Sequence, residues 1–219
     1  MVSATAVFDI IGTCFSLEKV REALVKAGAP PFALEMWFAQ SLRDSFGFSH
    51  AGGYLPLKDV LRADLPRTLA QLGLTPADEG LGTVLESMGA LEARPDLSET
   101  LRLLKDSGWR TVALTMGAVD STRRLLTNAG VVDHFDRLRS CDEISVTKPN
   151  PAVYRLALDE SDGAAWMVAA HAWDIAGAAR AGLQTAFVTM VEKSYPDVYP
   201  KPDVIAGSLL EAAHQMVER

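Results

Sequence analysis

Cysteine is nearly missing from this chain: Cys14 and Cys141 are the only two in 219 residues. Two thiols cannot build the multi-bridge framework of a small secreted domain, and no Cys-x-x-Cys or Cys/His spacing offers a zinc site. The expected setting is therefore a reducing cytoplasm. Long hydrophobic runs are missing too. None approaches the roughly 20 apolar residues that a membrane span needs, and the first residues reach an acid at Asp9 without the layout of a signal peptide. Basic residues are in deficit, with 21 Lys and Arg against 28 Asp and Glu for a net charge of −7. They are scattered rather than clustered, so neither nucleic acid nor an anionic membrane is an expected partner. Repeats and low-complexity tracts are absent.

What is present reads as an ordinary soluble protein, 48% hydrophobic and 22% charged. Residues 4–9 read as a short buried strand that ends at a Gly-Thr turn. Between about 17 and 91 no convincing strand appears. Helical patterns at 17–27, 32–47, 57–72 and 76–90 are separated by Ala-Pro-Pro, Gly-Gly and Leu-Thr-Pro breaks, and Pro66 predicts a kink or break in the third. After Pro95 the rhythm changes to helix 97–106, strand 109–115, helix 119–128 and a strand near 137–140. Helix 150–160, strand 166–170, helix 174–181, strand 184–188, a segment at 203–205 and a helix from 207 follow. Strands alternating with helices imply a Rossmann-like, doubly wound parallel sheet. The expected organisation is an α/β core (1–16 and 92–219) interrupted after its first strand by a helical cap (17–91).

Functional residues of such folds collect at the carboxyl ends of the strands, and four segments fall there. Asp9 ends the first strand before Ile10-Ile11-Gly12-Thr13. Thr115 ends the second, followed by Met116-Gly117. Lys148 stands in Thr147-Lys148-Pro149-Asn150-Pro151, just before a helix, and His171-Ala172-Trp173-Asp174 follows a hydrophobic strand. Singly, each has a plain structural explanation: a turn acid, helix N-caps at Thr115 and Asp174, a solvated loop lysine. An acid, a hydroxyl, a lysine and a second acid in this order at successive strand ends are a more specific pattern.

That order resembles the haloacid dehalogenase-like hydrolase superfamily, over nearly the whole chain and including the placement of the cap. The 2-haloacid dehalogenase branch (the L-2, or type II, enzymes) is the most similar. Its first motif, Asp-x-x-Gly-Thr, corresponds to Asp9–Thr13, and its fourth corresponds to Trp173-Asp174 before Ile175-Ala176-Gly177-Ala178. Tyr154, six residues after Lys148, matches a tyrosine of that branch.

The resemblance implies an aspartyl-ester route on a small carboxylate substrate, most simply a 2-haloacid. Asp9 attacks an sp³ carbon, and water then hydrolyses the ester. Lys148 keeps Asp9 ionised, Asp174 fixes Lys148, and Thr13 and Thr115 bond the Asp9 or substrate carboxylate, assisted by the backbone N–H groups after Thr115. Ile11, Trp37, Phe38, Met116, Tyr154 and Trp173 are expected to line the substrate site. The superfamily's phosphatases carry a second acid where Ile11 stands. Isoleucine moves no proton, so phosphate chemistry is disfavoured. Mg²⁺ is disfavoured with it, and no cofactor is expected. The branch's halide partners are missing. Phe38 stands where a cap arginine is expected, Met116 replaces an asparagine, and His171 and Ala169 replace an asparagine and a serine of the fourth motif. An aromatic pocket with His171, or Arg43 from the cap, is a substitute. His171 itself reads as a structural residue, an anion donor or a general base. Cleavage of a C–O or C–N bond, as in azetidine-carboxylate hydrolases, stays open. So do phosphonate cleavage, for which Lys58 is the only lysine in mid-cap, and a degenerate binding protein. Relatives of this type imply a homodimer.

Overall fold

The computed structural model describes residues 4–75, 77–158 and 163–219. In chain order the elements are β1 (Ala4–Asp9), β2 (Phe15–Ser16), α1 (Glu18–Lys26), α2 (Ala33–His50), α3 (Leu57–Gln71), α4 (Asp78–Ser87), β3 (Glu92–Ala93) and α5 (Leu97–Asp106). Then come β4 (Arg110–Thr115), α6 (Val119–Asn128), β5 (Arg137–Ser140), α7 (Pro151–Arg155), β6 (Ala164–Ala169), α8 (Ala172–Arg180), β7 (Gln184–Val188), β8 (Val204–Ala206) and α9 (Leu209–Val217). The chain divides into two compact units, one of Met1–Phe15 and Ala93–Arg219, the other of Ser16–Glu92.

The first unit is built on a parallel six-stranded sheet in the order β5-β4-β1-β6-β7-β8. Every residue of β1 is buried. That is why Ala4–Asp9 reads as a continuous apolar run instead of an alternating one, as a strand covered on both faces must. Helices pack through stripes at helical spacing, such as Leu97, Leu101 and Leu104 of α5 and Leu209, Ala212, Ala213 and Met216 of α9. The chain moves from β1 outward to β4 and β5, then returns to the other side of β1 with β6. The strand order therefore switches direction beside β1, where open α/β sheets bind ligands at the strands' carboxyl ends. Register brings Asp9 level with Leu114, the residue before Thr115.

The second unit is helical, from α1 to α4. Its interior holds Trp37, whose indole N–H donates to the Leu61 carbonyl at 3.0 Å. On its surface Arg21 grips both oxygens of Glu35.

Two local expectations differ from the structure. α3 runs unbroken through the exposed Pro66. The helix expected over 150–160 is the single turn α7, with residues 159 and 160 outside the described ones. Just outside the 17–91 span, β2 and β3 pair as a two-stranded ribbon on which the sequence raised no expectation, each being too short to show any periodicity.

Candidate active site

Asp9 closes β1 and is only 6% exposed. Both of its oxygens are held. Lys148 Nζ donates to Oδ1 at 3.0 Å, and the Thr13 hydroxyl donates to Oδ2 at 2.6 Å. Thr13 in turn accepts the Ala170 N–H at 2.9 Å, which fastens the turn after β1 to the end of β6. Gly12 makes that turn with φ of +89°, a conformation few side chains adopt. The Arg94 guanidinium bonds the Gly12 carbonyl at 3.2 Å.

Lys148 is fully buried and also donates to Asp174 Oδ2 at 2.9 Å. The other oxygen of Asp174 accepts the Tyr154 hydroxyl at 2.6 Å. Asp174 lies inside the first turn of α8, whose N-cap is His171, so it does not cap that helix. Burial works against the Lys148 ammonium. The Asp174 and Asp9 charges outweigh it, and the lysine is held protonated well above its usual range. Burial likewise raises Asp174, and above all Tyr154, which stays a neutral donor. The cluster is thus one ammonium shared by two carboxylates, with two hydroxyls on the remaining oxygens.

The structure brings Thr13, Lys148, Asp174 and Tyr154 together around Asp9. Thr115 sits on the neighbouring strand end, and there its hydroxyl oxygen accepts the Gly117 N–H at 2.9 Å rather than bonding Asp9. That N–H is thereby engaged, which removes one of the backbone donors expected after Thr115. Ser140, which the sequence reading missed, holds the same loop by donating to the Gly117 carbonyl at 2.8 Å. Met116 is buried, and Ile11 lies against Gly117, whose added Cβ would stand 3.4 Å from Ile11 Cδ1. His171 and Trp173 stack with ring centroids 5.6 Å apart. Glu192 was also missed and meets His171 Nδ1 at 3.3 Å. In the helical unit Trp37 and Phe38 are buried side chains, Arg43 is exposed and paired with Asp44, and Lys58 is exposed. Cys14 and Cys141 are buried, and burial raises both thiols, Cys141 to about 11, so neither is an activated nucleophile.

A Mg²⁺ ion requires near-octahedral oxygen ligation. Here all four oxygens of Asp9 and Asp174 already accept from side chains, and a cation lies between them. Among the described residues no group of three or more His, Cys, Asp and Glu converges. The donor set does not fit the ion.

The sequence model of the haloacid dehalogenase-like hydrolases matches residues 4–182. The chain belongs to that family. This hydrolase is 30% identical over 192 residues to the (S)-2-haloacid dehalogenase of Xanthobacter autotrophicus, covering 85% of this chain and 75% of that one. It is 29% identical over 195 residues to (S)-2-haloacid dehalogenase 1 of Pseudomonas sp. strain CBS-3, covering 85% of each. Its fold is that of the solved L-2-haloacid dehalogenase from Xanthobacter autotrophicus with chloropropionic acid covalently bound. The TM-score is 0.86 at 24% identity, over 99% of this chain and 98% of that one.

Proposed function

We propose that this hydrolase cleaves the carbon–halogen bond of small 2-halocarboxylic acids through an ester on Asp9. The observation that carries the reading is the Asp9 carboxylate, nearly buried at a strand end and held by Lys148 and Thr13, with Ile11 where phosphatases carry their second acid. Curated relatives named as (S)-2-haloacid dehalogenases lend the substrate class.

In this reading an Asp9 oxygen attacks C2 of the substrate, and the halogen leaves with the electron pair of the broken bond. Lys148 and Thr13 fix the carboxylate so that one lone pair on each oxygen remains free, and the lysine keeps it ionised. Water then attacks the ester carbonyl. The water oxygen enters the Asp9 carboxylate as the bond from that carbonyl to the product oxygen breaks. One water proton goes to the departing oxygen and the other to solvent, and the product leaves as a 2-hydroxy acid. While the carboxylate is esterified, Lys148 retains Asp174 as its partner and stays in place beside the carbonyl that water attacks. Side chains and water suffice for this route. Thr115 is assigned to the substrate carboxylate, and Ile11 and Met116 to the wall beside it. We assign the helical unit, with Trp37 and Phe38, to substrate selection. We place the enzyme in the cytoplasm, in keeping with its two buried, unbridged thiols, and take a homodimer as its working form.

Halide release from 2-chloropropionate, measured with an ion-selective electrode, tests the reading. Asp9→Asn is expected to abolish release, a loss of at least about 10³-fold. Retained turnover in that variant, or turnover of phosphate esters that depends on Mg²⁺, rejects it.

A further inference from the structure

The haloacid reading leaves one function unfilled, because this chain has Phe38 and Met116 where the resemblance expects the arginine and asparagine that receive the halide. A carboxylate unused by the route above stands near the site. Glu192, in the segment after β7, reaches back to the start of α8. Its Oε2 accepts the Ala172 N–H at 2.9 Å, and its Oε1 lies 3.3 Å from His171 Nδ1. A carboxylate accepts but does not donate, so this contact puts a proton on Nδ1.

The other ring nitrogen faces the nucleophile's turn. A Cβ built on Gly12, three residues after Asp9, would lie 2.8 Å from His171 Nε2. The glycine of the Asp-x-x-Gly-Thr motif therefore makes room for this imidazole as well as supplying the turn. The ring lies nearly parallel to the Trp173 indole, at 11° with centroids 5.6 Å apart, a geometry that favours a cation over the π face. Three carboxylates favour its charged form: Glu192 in direct contact from the segment after β7, and Asp9 from β1 and Asp174 from its own helix through their charges, with Lys148 compensating part of the last two. Burial disfavours a charge on His171, but the Glu192 bond and these carboxylates outweigh burial and raise its pKa above the ordinary histidine value.

Resting on the aspartyl-ester reading, we propose that His171, held by Glu192, receives the leaving group in this hydrolase, with Glu192 as its positioning residue. As the Asp9–carbon bond forms, the carbon–halogen bond breaks and its electron pair goes to the halide. Nε2–H donates a hydrogen bond to that halide and keeps its proton. The demand on the donor grows as the departing anion becomes more basic, so fluoride needs it most and bromide least.

The test compares the intact enzyme with Glu192→Gln on 2-fluoro-, 2-chloro- and 2-bromopropionate, alongside ¹⁵N NMR of the histidines during a bromide titration. Glutamine keeps an oxygen for the Ala172 N–H, so the start of α8 is preserved, and His171→Asn serves only to assign the His171 signals. Glu192→Gln is expected to lose roughly 10- to 100-fold in kcat on the fluoro acid and much less on the bromo acid. The alkaline limb of its kcat profile should move to lower pH. Bromide should shift the His171 Nε2 signal in the intact enzyme and do so more weakly in the variant. Equal losses on all three substrates with an unchanged pH profile overturn the proposal, even where Asp9→Asn is inactive. If the intact enzyme releases no halide at all, the haloacid reading fails. The bromide response at Nε2 then decides alone, its presence supporting the anion role and its absence ending it.

Discussion

Lys148 carries a full charge with no exposure to solvent, which is tolerable only because Asp9 and Asp174 each take a hydrogen bond from it. The same logic fixes Tyr154. Its hydroxyl satisfies the one oxygen of Asp174 that Lys148 does not reach, inside a fully buried cluster. Tyr154→Phe keeps the ring's volume and removes only that donor. It should cost about 1–3 kcal/mol of stability by urea unfolding, and kcat should fall more than KM rises, because Asp174 no longer holds the lysine rigidly. An unchanged unfolding midpoint would show that Asp174 does not depend on the phenol. At this scale the sequence was legible as a pattern: Asp9 and Lys148 each had a plain explanation singly, and only their order at successive strand ends, with the resemblance that order carries, singled them out together with Thr13. Glu192 is not part of that pattern. It sits in an irregular segment among other polar residues, and only the folded chain brings it to the start of α8. Thr115 was legible as a strand-end hydroxyl, but its actual partner, Gly117 N–H, depends on a turn that sequence spacing does not reveal.

Among the elements, α8 carries a tightly constrained position. Gly177 lies in the middle of this helix, where replacing glycine by alanine ordinarily stabilises by about 0.5–1 kcal/mol. Here the sign reverses. A Cβ would stand 2.5 Å from the Tyr154 hydroxyl, 2.6 Å from Pro149 Cβ and 2.8 Å from the Pro149 carbonyl oxygen. The tyrosine tip could swing away, but Pro149 follows Lys148 directly and its backbone would have to move. Gly177→Ala is therefore expected to lower the melting temperature and to cut kcat severely while leaving helix content by circular dichroism unchanged. A stabilised, fully active variant would show that α8 does not pack against the Lys148 loop as described. The elements were readable where apolar residues recur, as in α5 or β1, and unreadable where a local rule was overruled. Pro66 is such a case. Its missing N–H forfeits the bond to Arg62, yet Leu61, Leu65, Thr68 and Leu69 bury one continuous face, and α3 persists across the proline.

Across the whole molecule, the alternation of strands and helices after Pro95 sufficed to infer a parallel sheet, whereas the strand order β5-β4-β1-β6-β7-β8 depends on pairings between distant segments that composition does not encode. The burial that this sheet imposes also sets how the protein answers to alkali. Cys141 is raised from 9.0 to about 11 chiefly by burial. Burial raises Cys14 and Tyr154 as well, and the two carboxylates raise Lys148 against its own desolvation. Each of these groups binds its proton more tightly folded than unfolded. Its contribution to stability is therefore complete below the unfolded pKa and is lost as pH climbs through the folded one. The four shifts share one sign, so they add up to a steep loss that begins near pH 9. Cys141 alone accounts for about 3 kcal/mol of it between 9.0 and about 11. Cys141→Ala leaves a small cavity whose cost does not vary with pH, so the comparison lies in slope rather than level. Unfolding free energies measured by urea titration across that interval should fall less steeply for the variant than for the parent, by about the same 3 kcal/mol in total. Parallel curves would mean that the buried Cys141 thiol ionises as readily in the fold as in the open chain, and the alkaline loss would then have to come from Cys14 and the Lys148 cluster.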